Sequence, residues 1–316
     1  MKVQNLTLNG NINRNEDLVI ARDITKSYHG RDDIKALDNL SFTFKRGGVF
    51  TLLGRNGAGK TTTVKILSTL LRRDSGDLSV FGFDPDTSPE QIRNRISIVP
   101  QEGKPIEYLT PRESIYFYLR MRGLGTVESR KRTEIILNDF LIDNFSDQRC
   151  FTLSVGQKQM VLVAMAFASE PDIIFLDEPT IGLDPIARQR VWKRIVEVKD
   201  KTTIFLTTHY MEEAELLSDI VLIIKDGKSL RQGTPKELIQ QFGYKHKITI
   251  KNYDNGALTS QYAFKRKIND SLVIFLKDGE LDGAVNQLVK GGMEITIGKV
   301  TLEDVFISMV EDNYEK

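Results

Sequence analysis

The segment that most constrains this chain spans residues 54–62 and reads GRNGAGKTT. It fits the phosphate-binding pattern G-x-x-x-x-G-K-[ST], in which Lys60 and Thr61 occupy the last two positions. The apolar run Val49–Leu53 precedes it and apolar residues at helical spacing follow it, so the expected order is strand, loop and helix. Glycines allow backbone N–H groups to converge on an anion, and the N-terminus of a helix adds positive charge. The segment therefore predicts a binding site for a triphosphate.

Each residue of this segment is a candidate for nucleotide binding. Lys60 is expected to reach the outer phosphates, and the hydroxyl of Thr61 is expected to ligate Mg²⁺. Arg55 is interpreted as a solvent-facing member of the loop without a catalytic role. The remaining candidates in the segment are Gly54, Asn56, Gly57, Ala58, Gly59 and Thr62.

Composition limits the class of partner. Lys and Arg total 44 against 43 Asp and Glu, a net charge of +1, so no nucleic-acid partner is expected. The single cysteine, Cys150, cannot form an internal disulfide, which fits a reducing cytoplasm. The longest apolar run, residues 160–168, is too short to span a bilayer. We therefore expect a cytoplasmic chain that does not cross a membrane by itself.

Two adjacent carboxylates, Asp177 and Glu178, follow an apolar run typical of a parallel strand that is buried on both faces. Beside a phosphate loop, such a pair fits one residue that holds Mg²⁺ and one that polarises an attacking water. A second buried-strand pattern ends at His209, whose imidazole is expected to contact the γ-phosphate. The predicted catalytic residues are thus Glu178, His209 and Lys60, and Asp177 is a predicted metal ligand.

Two further signals are weak when taken alone. Tyr28 lies at the end of a strand pattern, where its ring could stack on a purine base or simply pack against the core. Residues 153–157 (LSVGQ) open a helix whose N-terminal amides and serine hydroxyl could bind a second anion, although a serine at the start of a helix is, taken alone, far more often only a cap. The motifs that accompany them decide in favour of the binding interpretations.

With every motif in the same order, residues 18–240 resemble the ATP-binding cassette (ABC) ATPases. The resemblance implies that Tyr28 stacks on adenine and that Asp177 and Glu178 are the acidic pair of the hydrolytic site. It implies that Gln101 senses Mg²⁺ and a transmembrane partner. The positions similar to the family signature and to the loop aspartate between subunits are Ser154, Gly156, Gln157 and Asp184.

In this family two ATPase domains sandwich two nucleotides, and each signature faces the P-loop of the other subunit. One copy of each motif therefore implies a second ATPase subunit, and the intact motifs make a homodimer competent. Val155 stands where the signature usually has glycine, and we interpret it as a tolerated variant because valine is acceptable in helical geometry. The implied cofactors are ATP and Mg²⁺, and the implied fold is α/β: a P-loop NTPase of ABC type.

We predict three parts in the chain. Residues 1–16 form a polar N-terminal arm, residues 17–241 an ATPase domain, and residues 242–316 a small C-terminal α+β accessory domain that is dispensable for nucleotide binding. The ATPase domain is expected to contain an antiparallel β subdomain and a helical insertion over about residues 100–165, in which residues 110–113 (TPRE) predict a helix start. The last helix carries an apolar stripe, expected to be buried against the small sheet or across a subunit boundary; the stripe comprises Leu302, Val305, Phe306 and Met309.

Residues 302–306 (LEDVF) resemble the C-terminal end of ATP-binding subunits that power drug, antibiotic, lipid or sodium exporters. The favoured function is therefore a cytoplasmic ATPase subunit that drives a separate permease at the inner face of the cell membrane. The alternative is a soluble ABC-type ATPase acting as a mechanical or assembly factor, which the absence of a second cassette, a coiled-coil insertion or a basic tract disfavours. A regulator without turnover is disfavoured because Glu178 and His209 are intact.

Overall fold

The computed structural model describes residues 17–28, 34–251, 262, 264–310 and 314–315. The predicted polar arm lies outside the described residues. The strands are β1 (Asp17–Tyr28), β2 (Ile34–Lys45), β3 (Val49–Leu53), β4 (Ser75–Val80), β5 (Ile96–Val99), β6 (Ile173–Asp177), β7 (Thr203–Thr208), β8 (Ile220–Lys225), β9 (Lys228–Gly233), β10 (His246–Ile250), β11 (Lys265–Ile268), β12 (Ser271–Leu276), β13 (Ile295–Lys299) and β14 (Tyr314–Glu315).

The helices lie between these strands and on their faces. They are α1 (Lys60–Leu67), α2 (Pro89–Arg93), α3 (Pro111–Met121), α4 (Thr126–Asp139), α5 (Val155–Ala168), α6 (Pro185–Val198), α7 (Met211–Leu217), α8 (Pro235–Gln241), α9 (Leu281–Lys290) and α10 (Leu302–Val310). Short 3₁₀ turns occur at Asp143–Phe145 and Cys150–Thr152. Within the described parts of the chain, no helix is long and apolar enough to cross a bilayer.

The central sheet has six strands in the order β5-β6-β7-β3-β8-β9. Its strands are parallel apart from the antiparallel pair β8 and β9, and β3, β6 and β7 are buried along their whole length. Strands covered on both faces require continuous apolar runs, which is the pattern that the sequence shows. Because parallel strands end at the same edge, the residues after β3, β6 and β7 are brought together there.

A three-stranded antiparallel sheet, β2-β1-β4, packs on one face of the central sheet. The contact contains a cluster of phenylalanine rings. The centroids of Phe44 and Phe50 are 4.7 Å apart, and those of Phe50 and Phe205 are 5.5 Å apart. This cluster packs β2 against β3, and β1 pairs with β2, so Tyr28 at the end of β1 lies beside the phosphate loop. The predicted α/β class, with its antiparallel β subdomain, is confirmed.

Helices α3, α4 and α5 form a layer on the opposite face, as expected for the helical insertion. The helix start predicted at residues 110–113 is a capping box in which the Thr110 hydroxyl accepts from Glu113 N and the Glu113 carboxylate accepts from Thr110 N. A second capping box opens α5 at Ser154. These caps satisfy N–H groups that have no partner within the helix.

The C-terminal residues form a five-stranded sheet, β13-β10-β12-β11-β14, with α9 covering one face. The last helix, α10, is shared between this sheet and the central sheet. Leu302 and Phe306 pack with Leu53, whereas Val305 packs with Phe275. The small sheet or a subunit boundary is the predicted cover for this stripe. The contact with the ATPase core was not predicted, and it arises because apolar residues extend around more than one side of the helix.

Candidate nucleotide-binding and hydrolysis site

The phosphate loop connects β3 to α1, as the sequence predicts. Gly59 ends the loop with φ of +103°, and a Cβ atom there would lie only 2.6 Å from the carbonyl oxygen of Ala36. A side chain at this position would therefore be both strained and obstructed. The Lys60 ammonium folds back over the loop and donates to the carbonyl oxygens of Gly54 at 2.9 Å and Arg55 at 3.2 Å.

The three predicted catalytic residues meet in one cluster around the buried carboxylate of Glu178. The Nζ atom of Lys60 lies 2.9 Å from Oε1 of Glu178, and Nδ1 of His209 lies 2.8 Å from Oε2 of the same carboxylate. The side chains of Lys60 and Glu178 are 4% and 3% exposed, so this pair is shielded from solvent. Low solvent access strengthens such charge contacts relative to contacts in water.

The backbone at Glu178 is unusual. Its φ is +52°, in the left-handed region that residues other than glycine rarely adopt. The Glu178 N–H donates to the carbonyl oxygen and to the hydroxyl of Thr207, each at 3.1 Å. This turn directs the carboxylate away from the line of β6 and towards Lys60 and His209.

The predicted metal ligands lie around the same point. Thr61 donates its hydroxyl hydrogen to Oε1 of Gln101 at 3.1 Å, and Thr207 donates to Oδ1 of Asp177 at 2.5 Å. Burial raises the pKa of Asp177, and the nearby Glu178 adds to this effect, whereas hydrogen bonds from Thr207 and Thr61 oppose it. Carboxylate, hydroxyl and amide oxygens are the ligands that Mg²⁺ prefers. Thr61, Gln101 and Asp177 could therefore hold this ion.

A cavity of about 280 Å³ joins the phosphate loop to Tyr28. Tyr28 is 42% exposed, and its hydroxyl lies 3.4 Å from that of Thr62, so its ring faces open space rather than the core. The predicted site residues that line the cavity are Tyr28, Asn56, Gly57, Gly59, Lys60, Thr61, Thr62, Gln101 and Glu178. The pure packing interpretation of Tyr28 is therefore not what the structure shows.

The predicted signature residues lie outside this cavity, at the start of α5. Ser154 caps α5 by accepting from Gln157 N at 3.2 Å, and Asp184 caps α6 by accepting from Ala187 N at 2.9 Å. A Cβ atom on Gly156 would lie 2.9 Å from the carbonyl oxygen of Gly182, so the signature packs closely against the loop that carries Asp184. Among the described residues, the lining of the 280 Å³ cavity includes none of these signature or loop positions.

Several buried polar residues at the site were not identified from sequence. Thr207 supports both Asp177 and Glu178, as described above. The amide of Gln159 on α5 donates to the carbonyl oxygen of Pro179 at 3.2 Å, which ties the signature helix to the turn after Glu178. The sequence pattern that could have pointed to them is the change from apolar to polar residues at the end of β7, but this pattern does not specify the contacts.

Comparison with known proteins gives the family. Residues 37–181 match the model of the family described as "ABC transporter". A Nod factor export ATP-binding protein I from Burkholderia thailandensis is 35% identical over 88% of this chain and 93% of its own length. A daunorubicin/doxorubicin resistance ATP-binding protein from Streptomyces peucetius is 37% identical over 70% of this chain and 66% of its own length.

Solved structures agree with this result. A dimeric ATP-binding cassette in a post-hydrolysis state bound to ADP and Pi is similar with a TM-score of 0.64, at 27% identity over 68% of this chain and 98% of that chain. An ATP-binding subunit of an ABC transporter gives a TM-score of 0.64 at 31% identity, over 72% of this chain and 93% of that one. The chain thus belongs to the ABC transporter family, and it is an ATP-binding and ATP-hydrolysing subunit of that family.

Proposed function

We propose that this chain pairs with a second copy of itself around ATP and Mg²⁺, and that the pair drives a separate membrane permease for export. The observation that carries the proposal is the direct contact of Lys60 and His209 with the Glu178 carboxylate, at 2.9 and 2.8 Å. A carboxylate held between these two groups at the edge of a phosphate-binding cavity is suited to phosphoryl transfer to water.

Each residue of the site has a proposed role. Glu178 orients and polarises the attacking water. Lys60 and the loop amides stabilise the charge that develops on the phosphates, and His209 contacts the γ-phosphate. When bound by Thr61, Gln101 and Asp177, Mg²⁺ would neutralise phosphate charge. Tyr28 would stack on the adenine ring, since its exposed face opens on the same cavity.

The position of the signature supports a second copy. ABC ATPase cassettes dimerise, and the similar cassette that holds ADP and Pi is dimeric. In this chain the start of α5 is exposed at Val155 and lies outside the phosphate-loop cavity. Ser154, Gly156 and Gln157 would therefore complete the site of a partner, and Asp184 would lie at the boundary between the two.

The permease surface is proposed to lie just after Gln101. Ile106 and Tyr108 are 66% and 76% exposed, while Pro105 between them and Gln101 is buried. Tyr108 has an exposed aromatic neighbour, Phe151, at 6.3 Å between ring centroids. Exposed apolar groups this close together are typical of an interaction surface rather than of core packing.

Export is proposed on the basis of the relatives' names and the LEDVF segment. Of the two relatives described above, one is named for daunorubicin/doxorubicin resistance and the other for Nod factor export. Under this proposal the chain works in the cytoplasm, at the inner face of the membrane, and reaches the membrane through the permease.

The test has a turnover arm and a membrane arm. In the first, Mg²⁺-dependent ATP hydrolysis by the purified chain should rise more steeply than linearly with protein concentration, since two copies complete each site. In the second, a tagged chain should sediment with native membranes and co-purify in detergent with a multispanning membrane protein. Ile106→Glu and Tyr108→Glu should abolish this association without lowering the thermal melt, whereas Leu70→Glu, at another exposed apolar residue, should not. Membrane association unchanged in both surface variants would contradict the permease surface.

A further inference from the structure

Another buried carboxylate, Glu213, lies close to the site and has none of the roles proposed above. It sits in the first turn of α7, four residues after His209, and is 0% exposed. Its Oε1 atom accepts hydrogen bonds from the Trp192 indole at 2.8 Å and from the Thr180 hydroxyl at 3.1 Å. Its Oε2 atom is buried without a hydrogen-bond partner among the described residues. Such a group is costly to bury, so its presence calls for an explanation.

The partners of Glu213 belong to different segments of the site. Thr180 is two residues after Glu178, in the loop that leads to Asp184. Trp192 is on α6, the helix that Asp184 caps. Glu213 itself is on the helix that follows His209. One carboxyl group therefore joins the segments that carry the proposed catalytic carboxylate, the loop aspartate and the histidine.

A parallel contact joins the same segments. The guanidinium of Arg188 on α6 lies 4.7 Å from the centroid of the Tyr210 ring, and this ring is 4.2 Å from the imidazole of His209. Arg188 N also donates to the carbonyl oxygen of Asp184 at 2.9 Å. One stacked contact and the Glu213 hydrogen bonds thus join α6 to the segment that carries His209.

We propose that Glu213 is a positioning residue for ATP hydrolysis, which fixes residues 178–184 and the turn at His209 relative to each other. The proposal rests on the roles given above to Glu178 and His209. Glu213 does not touch the nucleotide cavity, since it is absent from the described lining residues. Its loss should therefore change the rate of the chemical step more than the binding of ATP.

Burial disfavours the charged form of Glu213. Burial raises the pKa of Glu213, and the hydroxyl, indole and guanidinium groups around it only partly oppose the effect. Arg188 is the charged group that faces it, and the Trp192, Thr180 and Thr208 side chains nearby do not ionise in the physiological range. A neutral carboxyl still accepts both hydrogen bonds at Oε1.

The test compares single-site variants of the full chain. Glu213→Ala should lower kcat by about 10-fold or more with KM for ATP nearly unchanged, because the reacting groups lose their alignment. Glu213→Gln keeps the accepting oxygen and should retain turnover close to that of the wild type. Trp192→Phe and Thr180→Val each remove one donor and should lower kcat by about threefold. Glu212→Ala changes an exposed acid one position earlier and should match the wild type.

The results distinguish a failure of the role proposed for Glu213 from a failure of the role proposed for Glu178. Wild-type kcat in Glu213→Ala, Trp192→Phe and Thr180→Val would overturn the proposal. Should Glu213→Ala fail to fold, the two donor variants decide: reduced kcat with normal ATP binding supports positioning, and normal kcat contradicts it. Glu178→Gln is measured beside them. Normal turnover in Glu178→Gln would remove the role assigned to Glu178, whereas a normal Glu213 series beside an inactive Glu178→Gln would remove only this inference.

A pH series tests the raised pKa independently. A folded-state pKa above the ordinary value means that the folded chain binds more protons than the unfolded chain, so Glu213 lowers stability as the pH rises above the ordinary pKa of a glutamate. Glutamine does not ionise, so the Glu213→Gln variant lacks this loss of stability. The Tm of Glu213→Gln minus that of the wild type should therefore increase as the pH is raised from 5. A difference that stays constant between pH 5 and pH 8 would contradict the raised pKa of Glu213.

Discussion

The two predicted halves of the hydrolytic site differ sharply within one chain. The Lys60 and His209 side chains both contact Glu178, and Lys60 and Glu178 are shielded from solvent. The signature at the start of α5 is exposed, with Val155 76% accessible, and its polar groups cap their own helix. The side chains of the first half are held by contacts within the chain, whereas the signature half is exposed at the surface.

This difference shows where the chain relies on its own fold and where it would rely on a partner. Side chains at strand ends are fixed by register, since Asp177 lies opposite Thr207 and Leu53 opposite Thr208. The N-terminus of a helix needs only a cap, and Ser154 and Gln157 supply it whether or not a partner is present. We expect substitutions in the buried half to abolish turnover directly, and those on the exposed face to act through assembly.

The largest effect is expected for Glu178→Gln. Because it removes the group that orients and polarises water without changing shape, turnover should fall by about 100-fold or more while ATP binding persists. Hydrolysis assays and equilibrium binding of radiolabelled ATP measure the two quantities. The variant should also accumulate as an ATP-bound dimer on size-exclusion chromatography. Near-normal hydrolysis would mean that the buried cluster is not the hydrolytic centre.

A smaller effect is expected at the edge of the cavity. Tyr28→Ala should weaken ATP binding by about 1–3 kcal/mol, and Tyr28→Phe and Tyr28→Trp should be nearly silent, because stacking needs a ring and not a hydroxyl. The 3.4 Å separation of the Tyr28 and Thr62 hydroxyls fits this view, since it is long for a hydrogen bond. Isothermal titration of the three variants gives the comparison. Equal weakening in Phe and Ala variants would exclude stacking.

On the exposed face, Gly156→Ala should lower turnover by about 10-fold. The added Cβ would lie 2.9 Å from the Gly182 carbonyl oxygen, so the loop before Asp184 must move away. If this face binds a partner subunit, Gly156→Ala should weaken formation of the ATP-bound dimer more than it weakens ATP binding by the single chain. Turnover equal to that of the wild type would show that the close contact between signature and loop is not needed.

The smallest effect is expected at Val155, the residue that departs from the usual signature. Val155→Gly should change turnover by no more than about twofold, and it should lower stability by up to about 1 kcal/mol because glycine is a poor helix former. The valine side chain is exposed and lies 3.6 Å from the position of a Cβ on Gly182, so it obstructs nothing within the chain. A tenfold gain in turnover for the glycine variant would show that Val155 restrains the enzyme.

Sequence patterns predicted the parts of this molecule that repeat a simple rule. Apolar runs predicted the buried strands, and residues 110–113 predicted a capping box that the structure contains. Asp177 and His209 lie at the ends of two predicted parallel strands. Their positions predicted the edge of the central sheet at which Lys60, Glu178 and His209 meet. The site roles given to these residues stay predictions until the variants are measured.

The contacts that sequence patterns did not predict all join residues that are distant in the sequence. Glu213 and Trp192 are 21 positions apart and lie on different helices, and each looks unremarkable in its own helix. Asp304, in the LEDVF segment, is buried and pairs with Lys247 at 2.6 Å across the small domain. Helical periodicity assigns such residues to a face but does not tell which element will cover it.

The position of α10 has a consequence for synthesis of the chain. Leu302, Phe306 and Val310 cover a face of the central sheet that includes Leu53 and Ile223. Protein chains emerge from the ribosome N-terminus first, so this face of the central sheet lacks part of its cover until α10 has been made. During that interval the nascent ATPase domain exposes apolar surface to which a chaperone would have access.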